Sequence, residues 1–125
     1  MSGDPYPKSV QLARGERRYH RKVAGPKRWQ QIIDAKIAGR PCRVCPSRTL
    51  VDPAHLIGRG QGGPDSEWNV IPLCRIHHAA FDAHNYETCR AVCASLTDQE
   101  YAGLVEFAGE GVFESRFKIR YERVA

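Results

Sequence analysis

Cys42 and Cys45 are separated by two residues, and 29 residues beyond Cys45 the chain repeats that spacing with Cys74 and His77. Each pair can turn two soft donors toward one point, and four such donors close a tetrahedral zinc site at about 2.0–2.3 Å per bond. Closing it ties two distant segments together and can supply much of the folding free energy of a small domain. Zn2+ is therefore the expected structural ion, held by Cys42, Cys45, Cys74 and His77, with Cys89 or Cys93 as the alternative fourth ligand. An odd total of five cysteines argues against a disulfide framework. Cys89 and Cys93, four apart on a predicted helix, read as buried thiols.

The chain has 125 residues, enough for one domain and too few for a second large catalytic unit. No apolar run approaches the ~18 residues of a membrane span, and no apolar segment follows the N-terminal charges as in a secretory signal. The expectation is a cytoplasmic protein without a membrane partner. Its net charge of +5 is unevenly spread: residues 1–50 carry 12 Lys and Arg against 3 Asp and Glu, residues 51–125 carry 7 against 11. Clustered cations neutralise phosphates and give sequence-independent affinity for nucleic acid. Arg17, Arg18, Arg21, Lys22, Lys27 and Arg28 are the candidate contacts.

Residues 1–25, with Pro5, Pro7, Gly15 and Gly25 and few apolar side chains, are expected to form a mobile basic arm, helical in part over about 8–22. One domain follows over 26–125. Pro26 fits a first helical turn, and Trp29, Ile32, Ile33 and Ile37 recur at helical spacing until Gly39 and Pro41 stop them. A short strand runs from about Leu50 to His55, a glycine-rich loop spans Gly58 to Asp65, and Val70, Ile71 and Leu73 form the returning strand, with Pro72 favouring a sheet edge. Helices are predicted from Arg75 to about His84, from about Tyr86 to Leu96, and after a capping box at Thr97 and Glu100. Phe117, Ile119 and Tyr121 alternate with Lys118, Arg120 and Glu122, which is strand periodicity.

Between the two metal pairs lie His55, the paired glycines Gly62 and Gly63, and Asn69, and His78 directly follows His77. This order resembles the HNH endonuclease family, the ββα-metal nucleases, and covers roughly residues 40–84. It resembles the small free-standing HNH proteins often encoded by bacteriophages. The resemblance implies that His55 is the general base, that Asn69 pins the loop or orients the base, and that His78 binds a catalytic divalent ion. His78 and Asp82 are four apart, so on one helix they share a face and can chelate one cation, as a second helical ligand does in the colicin nuclease domains. A mixed imidazole and carboxylate site suits Mg2+, Mn2+ or another divalent ion. A histidine base with its ordinary pKa near 6.5 is largely neutral at working pH.

The sequence departs from the family pattern at one position. The residue before the base is usually an Asp or His that ligates the metal, and here it is Ala54, so the metal would be held by His78 and Asp82 with waters and DNA phosphate, or with help from Asp52 or His84. The fold class expected is α+β: a β-hairpin and helix stapled by zinc, flanked by an N-terminal helix and C-terminal helices. The expected function is metal-dependent hydrolysis of DNA, by nicking, leaving 3′-hydroxyl and 5′-phosphate ends. The alternative is a non-catalytic zinc-ribbon module that binds nucleic acid. DNA is the expected partner, with a phage or host nucleic-acid-processing protein as a further one.

Overall fold

The computed structural model describes residues 23–120. Most of the expected arm, with Arg17, Arg18, Arg21 and Lys22, lies outside the described residues.

The first helix, α1 (Pro26–Lys36), starts with proline at its first turn, where the missing N–H is no loss. Ile32 is fully buried, and Trp29 and Ile33 flank it against Val51 and Val70. Lys27 and Arg28 stay on the exposed side. Two antiparallel strands follow, β1 (Val51–His55) and β2 (Val70–Cys74), paired with Val51 opposite Cys74 and His55 opposite Val70. A hairpin of this size is marginal on its own and needs packing to persist. The alternation along the strands supplies it from both sides. Val51 and Val70 face α1, while Ala54, Ile71 and Leu73 enter the main core. Proline fits in β2 because each strand of this two-stranded sheet is an edge.

Helix α2 (Arg75–Asp82) starts directly after β2 with Cys74 as its N-cap, which completes a strand, strand, helix unit. Beyond it lie α3 (Tyr86–Ala94), α4 (Asp98–Ala108) and a short α5 (Val112–Ser115). Thr97 and Glu100 form the capping box expected of them. Phe81, Val92, Leu104, Phe113 and Phe117 gather with the inner face of the hairpin into one core. At Gly103 an added Cβ would lie 2.2 Å from the Trp68 ring, so glycine lets α4 press flat on that side chain.

Two findings depart from the sequence expectation. The strand read at the C-terminal end does not form over the described residues 117–120, although Phe117 and Ile119 are buried and Lys118 and Arg120 exposed as the alternation requires. Lys118 has a positive φ of 59°, which breaks the extended run, and the hairpin holds the only two strands among the described residues. The second is a buried ion cluster. Glu100, with none of its surface exposed, accepts from Arg43 at 2.7 and 2.8 Å and from Lys36 at 2.7 Å. It thereby joins the end of α1, the turn between Cys42 and Cys45, and the start of α4.

Candidate active site and metal centre

The metal centre is assembled from a turn and a helix start. The turn places Cys42 and Cys45, anchored by the Arg43 amide donating to the Pro72 carbonyl at 2.7 Å. The junction of β2 and α2 places Cys74 and His77, one helical turn apart. The four donor atoms all lie within 4.8 Å of one another. Cys74 Sγ is 3.2 Å and Cys42 Sγ 3.8 Å from His77 Nδ1, and the Cys45 and Cys74 sulfurs are 3.9 Å apart. A tetrahedron with bonds of about 2.3 Å has edges of about 3.8 Å, so the cluster fits zinc without rearrangement.

Burial pushes the Cys42 thiol up, but hydrogen bonds from the backbone of Cys74 and Val44 and from Cys45 outweigh it and leave it below its ordinary pKa. At Cys45 the Ser47 backbone lowers the pKa, while burial and the neighbouring Cys42 and Cys74 raise it by more. Cys89 and Cys93 lie outside the cluster. Burial, and then the Cys89 neighbour, pushes Cys93 up to about 12, and burial raises Cys89. Neither alternative fourth ligand is at the centre.

Beside it, the hairpin and α2 frame a cleft of about 450 Å³ lined by Pro53, His55, Gly58, Arg59, His78 and Asp82, with Trp29 of α1 as one wall. His55 ends β1 on the face toward α1, and its ring lies parallel to Trp29 with centroids 5.9 Å apart. Its Nε2 is 2.8 Å from Asp65 Oδ1. Asp65 is buried and is also reached by Arg59 at 3.4 Å and by the Ala24 amide at 3.2 Å. Arg59 in turn lies over the Trp29 ring at 5.3 Å.

Asn69 does not face the cleft. It is fully buried, accepts from the Ile57 amide at 2.8 Å, and donates to the Ile57 and Pro64 carbonyls at 3.0 and 2.9 Å. Those bonds clamp the two ends of the loop between the strands. Inside the clamp, Gly63 passes so close to the chain that an added Cβ would lie 1.7 Å from the Ile57 carbonyl oxygen. Gly62 closes the turn with a left-handed φ of 84°. Paired glycines are therefore a steric requirement of this loop.

His78 stands between two carboxylates, its Nδ1 3.4 Å from Asp52 and its Nε2 3.5 Å from Asp82. One ion would thus take one imidazole nitrogen with one of the two carboxylates, a donor set that suits a divalent cation. His84, the other candidate helper, follows α2 with a φ of 59° and lines a separate cavity. Arg28, a candidate phosphate contact, is partly engaged by Glu67 at 3.3 Å. Sequence reasoning missed Asp65, Arg59 and the role of Trp29 as a wall. The usable signal for Asp65 was a carboxylate directly after Gly62, Gly63 and Pro64, in a loop that has to fold back on His55.

Residues 37–86 match the family model described as HNH endonuclease. The uncharacterized protein YdfU of Escherichia coli (strain K12) is 38% identical over 61 residues, which span 46% of this chain and 17% of YdfU. The chain thus covers under a fifth of the length of that relative. No solved structure matches. The cysteine and histidine cluster, the hairpin and α2 all fall within the matched span, so the segment similar to the HNH endonuclease model is the ββα unit described above. No helix among the described residues is long and apolar enough to cross a membrane.

Proposed function

We propose that the chain is a metal-dependent endonuclease that hydrolyses DNA phosphodiester bonds, nicking one strand and leaving 3′-hydroxyl and 5′-phosphate ends. The observation that carries this reading is the shared cleft, in which the base candidate His55 and the ion candidates His78 and Asp82 face one volume of about 450 Å³ beside an arginine. His55 is assigned a proton on Nε2, donated to Asp65, which makes Nδ1 the basic nitrogen. Asp65 holds the ring in that tautomer, and Trp29 limits its rotation. His55 takes a proton from water as the water oxygen attacks phosphorus, and the 3′ oxygen leaves. Arg59, exposed at the cleft wall, is placed to hold a non-bridging phosphate oxygen.

His78 with Asp82 or Asp52 would hold Mg2+, Mn2+ or another divalent ion, which when bound supplies charge stabilisation to the pentavalent phosphorus and the leaving oxygen. Zn2+ held by Cys42, Cys45, Cys74 and His77 would tie the turn that carries Cys42 and Cys45 to the junction of β2 and α2, as a structural ion outside the chemistry.

A second reading, a nucleic-acid-binding zinc ribbon without catalysis, draws on Ala54, which is fully buried where the family pattern has a metal ligand. Plasmid nicking with a panel of divalent ions separates the two. His55→Ala should slow cutting by about 10²–10⁴-fold with zinc content and DNA affinity unchanged. His78→Ala should lose activity that excess divalent ion partly restores. Full-rate cutting by His55→Ala refutes the mechanism, and binding without cutting by the unaltered chain leaves the ribbon.

A further inference from the structure

Across the 58–61 turn from the cleft lies a second cavity, of about 430 Å³, lined by Gln61, His84, Phe107, Ser115, Arg116 and Lys118 among others. Gly58 and Arg59 border the first volume, Ile57 and Gln61 the second. The turn is therefore a ridge between two basic hollows. The cations of the second hollow come from the end of α5 and the residues after it, beyond the segment that matches the nuclease family.

Arg116 is the unusual member. Its Nε is buried and has no hydrogen-bond partner among the described residues. Burial lowers its pKa, while the Asp82 charge opposes that shift. Its guanidinium points under the ridge: a Cβ built on Gly58 would sit 3.6 Å from Nη2. A guanidinium carries five N–H donors, and a buried donor without an acceptor is costly. The residue as a whole is only half-buried and lines the hollow, so an anion there meets the remainder of its guanidinium. Lys118 and His84 also line this cavity and bring further basic side chains to it. Phe107 at the margin is 48% exposed and offers a ring on which a base can stack.

We infer that this second cavity is a DNA subsite, in which Arg116 and Lys118 take a backbone phosphate neighbouring the scissile one and Phe107 supports the adjoining nucleotide. The inference rests on the nuclease reading for what occupies the first cleft. Phosphates recur at every nucleotide along a strand, and in this scheme a strand laid over the ridge puts one in each hollow. Anchoring on both sides fixes which bond lies over His55. Arg116 and Lys118 are positioning residues in this scheme.

The test measures binding of a labelled duplex by the full zinc-loaded chain, with calcium in place of a catalytic ion, across a salt series. Arg116→Gln and Lys118→Gln should each weaken binding about tenfold and flatten the plot of log affinity against log salt by about one. Zinc content and the melting transition should stay as in the unaltered chain. Lys118 is exposed, so its variant remains informative if Arg116→Gln fails to fold. Unaltered affinity and slope in folded Lys118→Gln overturn the subsite even if plasmid cutting is robust. Weakened binding by both variants of a chain that never cuts supports the subsite and refutes the nuclease. A chain that binds no duplex refutes both.

Discussion

Glu100 is charged in a place where charge is expensive, and its neighbours account for that. Burial pushes its pKa up, but Arg43 and Lys36 outweigh burial, with the Thr97 amide and the Arg43 charge assisting, and bring it from 4.5 down to about 2. At about 1.4 kcal/mol per tenfold change in proton affinity, that drop corresponds to roughly 3 kcal/mol of stability. Because the folded pKa lies below the unfolded one, this contribution is complete above about pH 4.5 and is lost as pH falls toward 2. The Glu100→Gln variant has no such term and leaves Arg43 and Lys36 facing a neutral amide, so near neutral pH it should be less stable by about 3–5 kcal/mol. Urea unfolding of both proteins over a pH series tests this. The zinc ligands also take up protons in acid, but that loss is common to both proteins and cancels in their difference. The gap should narrow by about 1 kcal/mol between about pH 6 and pH 3.5. A gap that stays constant over that interval would show that Glu100 is not held ionised by this cluster.

The remaining expectations concern the metal centre, the loop, the ion site and the DNA surface. Cys45→Ser should lose zinc, read by metal analysis, together with cooperative unfolding, while Cys93→Ala keeps both. Asn69→Ala strands the Ile57 amide and two carbonyls inside the loop, so stability should fall by about 2–4 kcal/mol and nicking should fall with it, although the zinc remains bound. Asp52→Asn should weaken calorimetric binding of a divalent ion as His78→Ala does, whereas Ala54→Asp should destabilise the fold without tightening that binding. Removal of residues 1–22 should weaken duplex binding and flatten its salt dependence.

The features read correctly from sequence are those whose cause is local. The cysteine and histidine donors that gather in the cluster come as i,i+3 pairs, α1 shows its apolar spacing between Pro26 and Gly39, and the capping box at Thr97 and Glu100 lies within one turn. The two strands were legible too, because Gly58 to Asp65 leaves only short apolar runs on either side to pair. What escaped depends on contacts between distant segments. Asp65 meets His55 only after the loop folds back, and Glu100 meets Arg43 only after α4 crosses the metal turn. The alternation at Phe117 and Ile119 predicted a strand because burial of every second residue looks the same whether a ladder or a side-chain core produces it. Here the core produces it, with Lys118 turning the chain so that both apolar residues point inward.

The contrast between Asp52 and Ala54 follows from the same geometry. Asp52 and Ala54 lie two apart on β1, opposite Leu73 and Ile71, and so share the face turned toward α2. Residue 54 sits deep on that face, fully buried among core side chains, and a carboxylate there would be desolvated with no cation from the chain beside it. Residue 52 sits at the rim, where its side chain keeps 28% of its exposure and reaches His78 at 3.4 Å and Arg75 at 3.6 Å. One pleat repeat, about 6.6 Å along the strand, therefore separates a position that favours an apolar residue from one that favours an acid. Alanine at residue 54 lets β1 pack against the core, while the acid at residue 52 keeps negative charge beside His78.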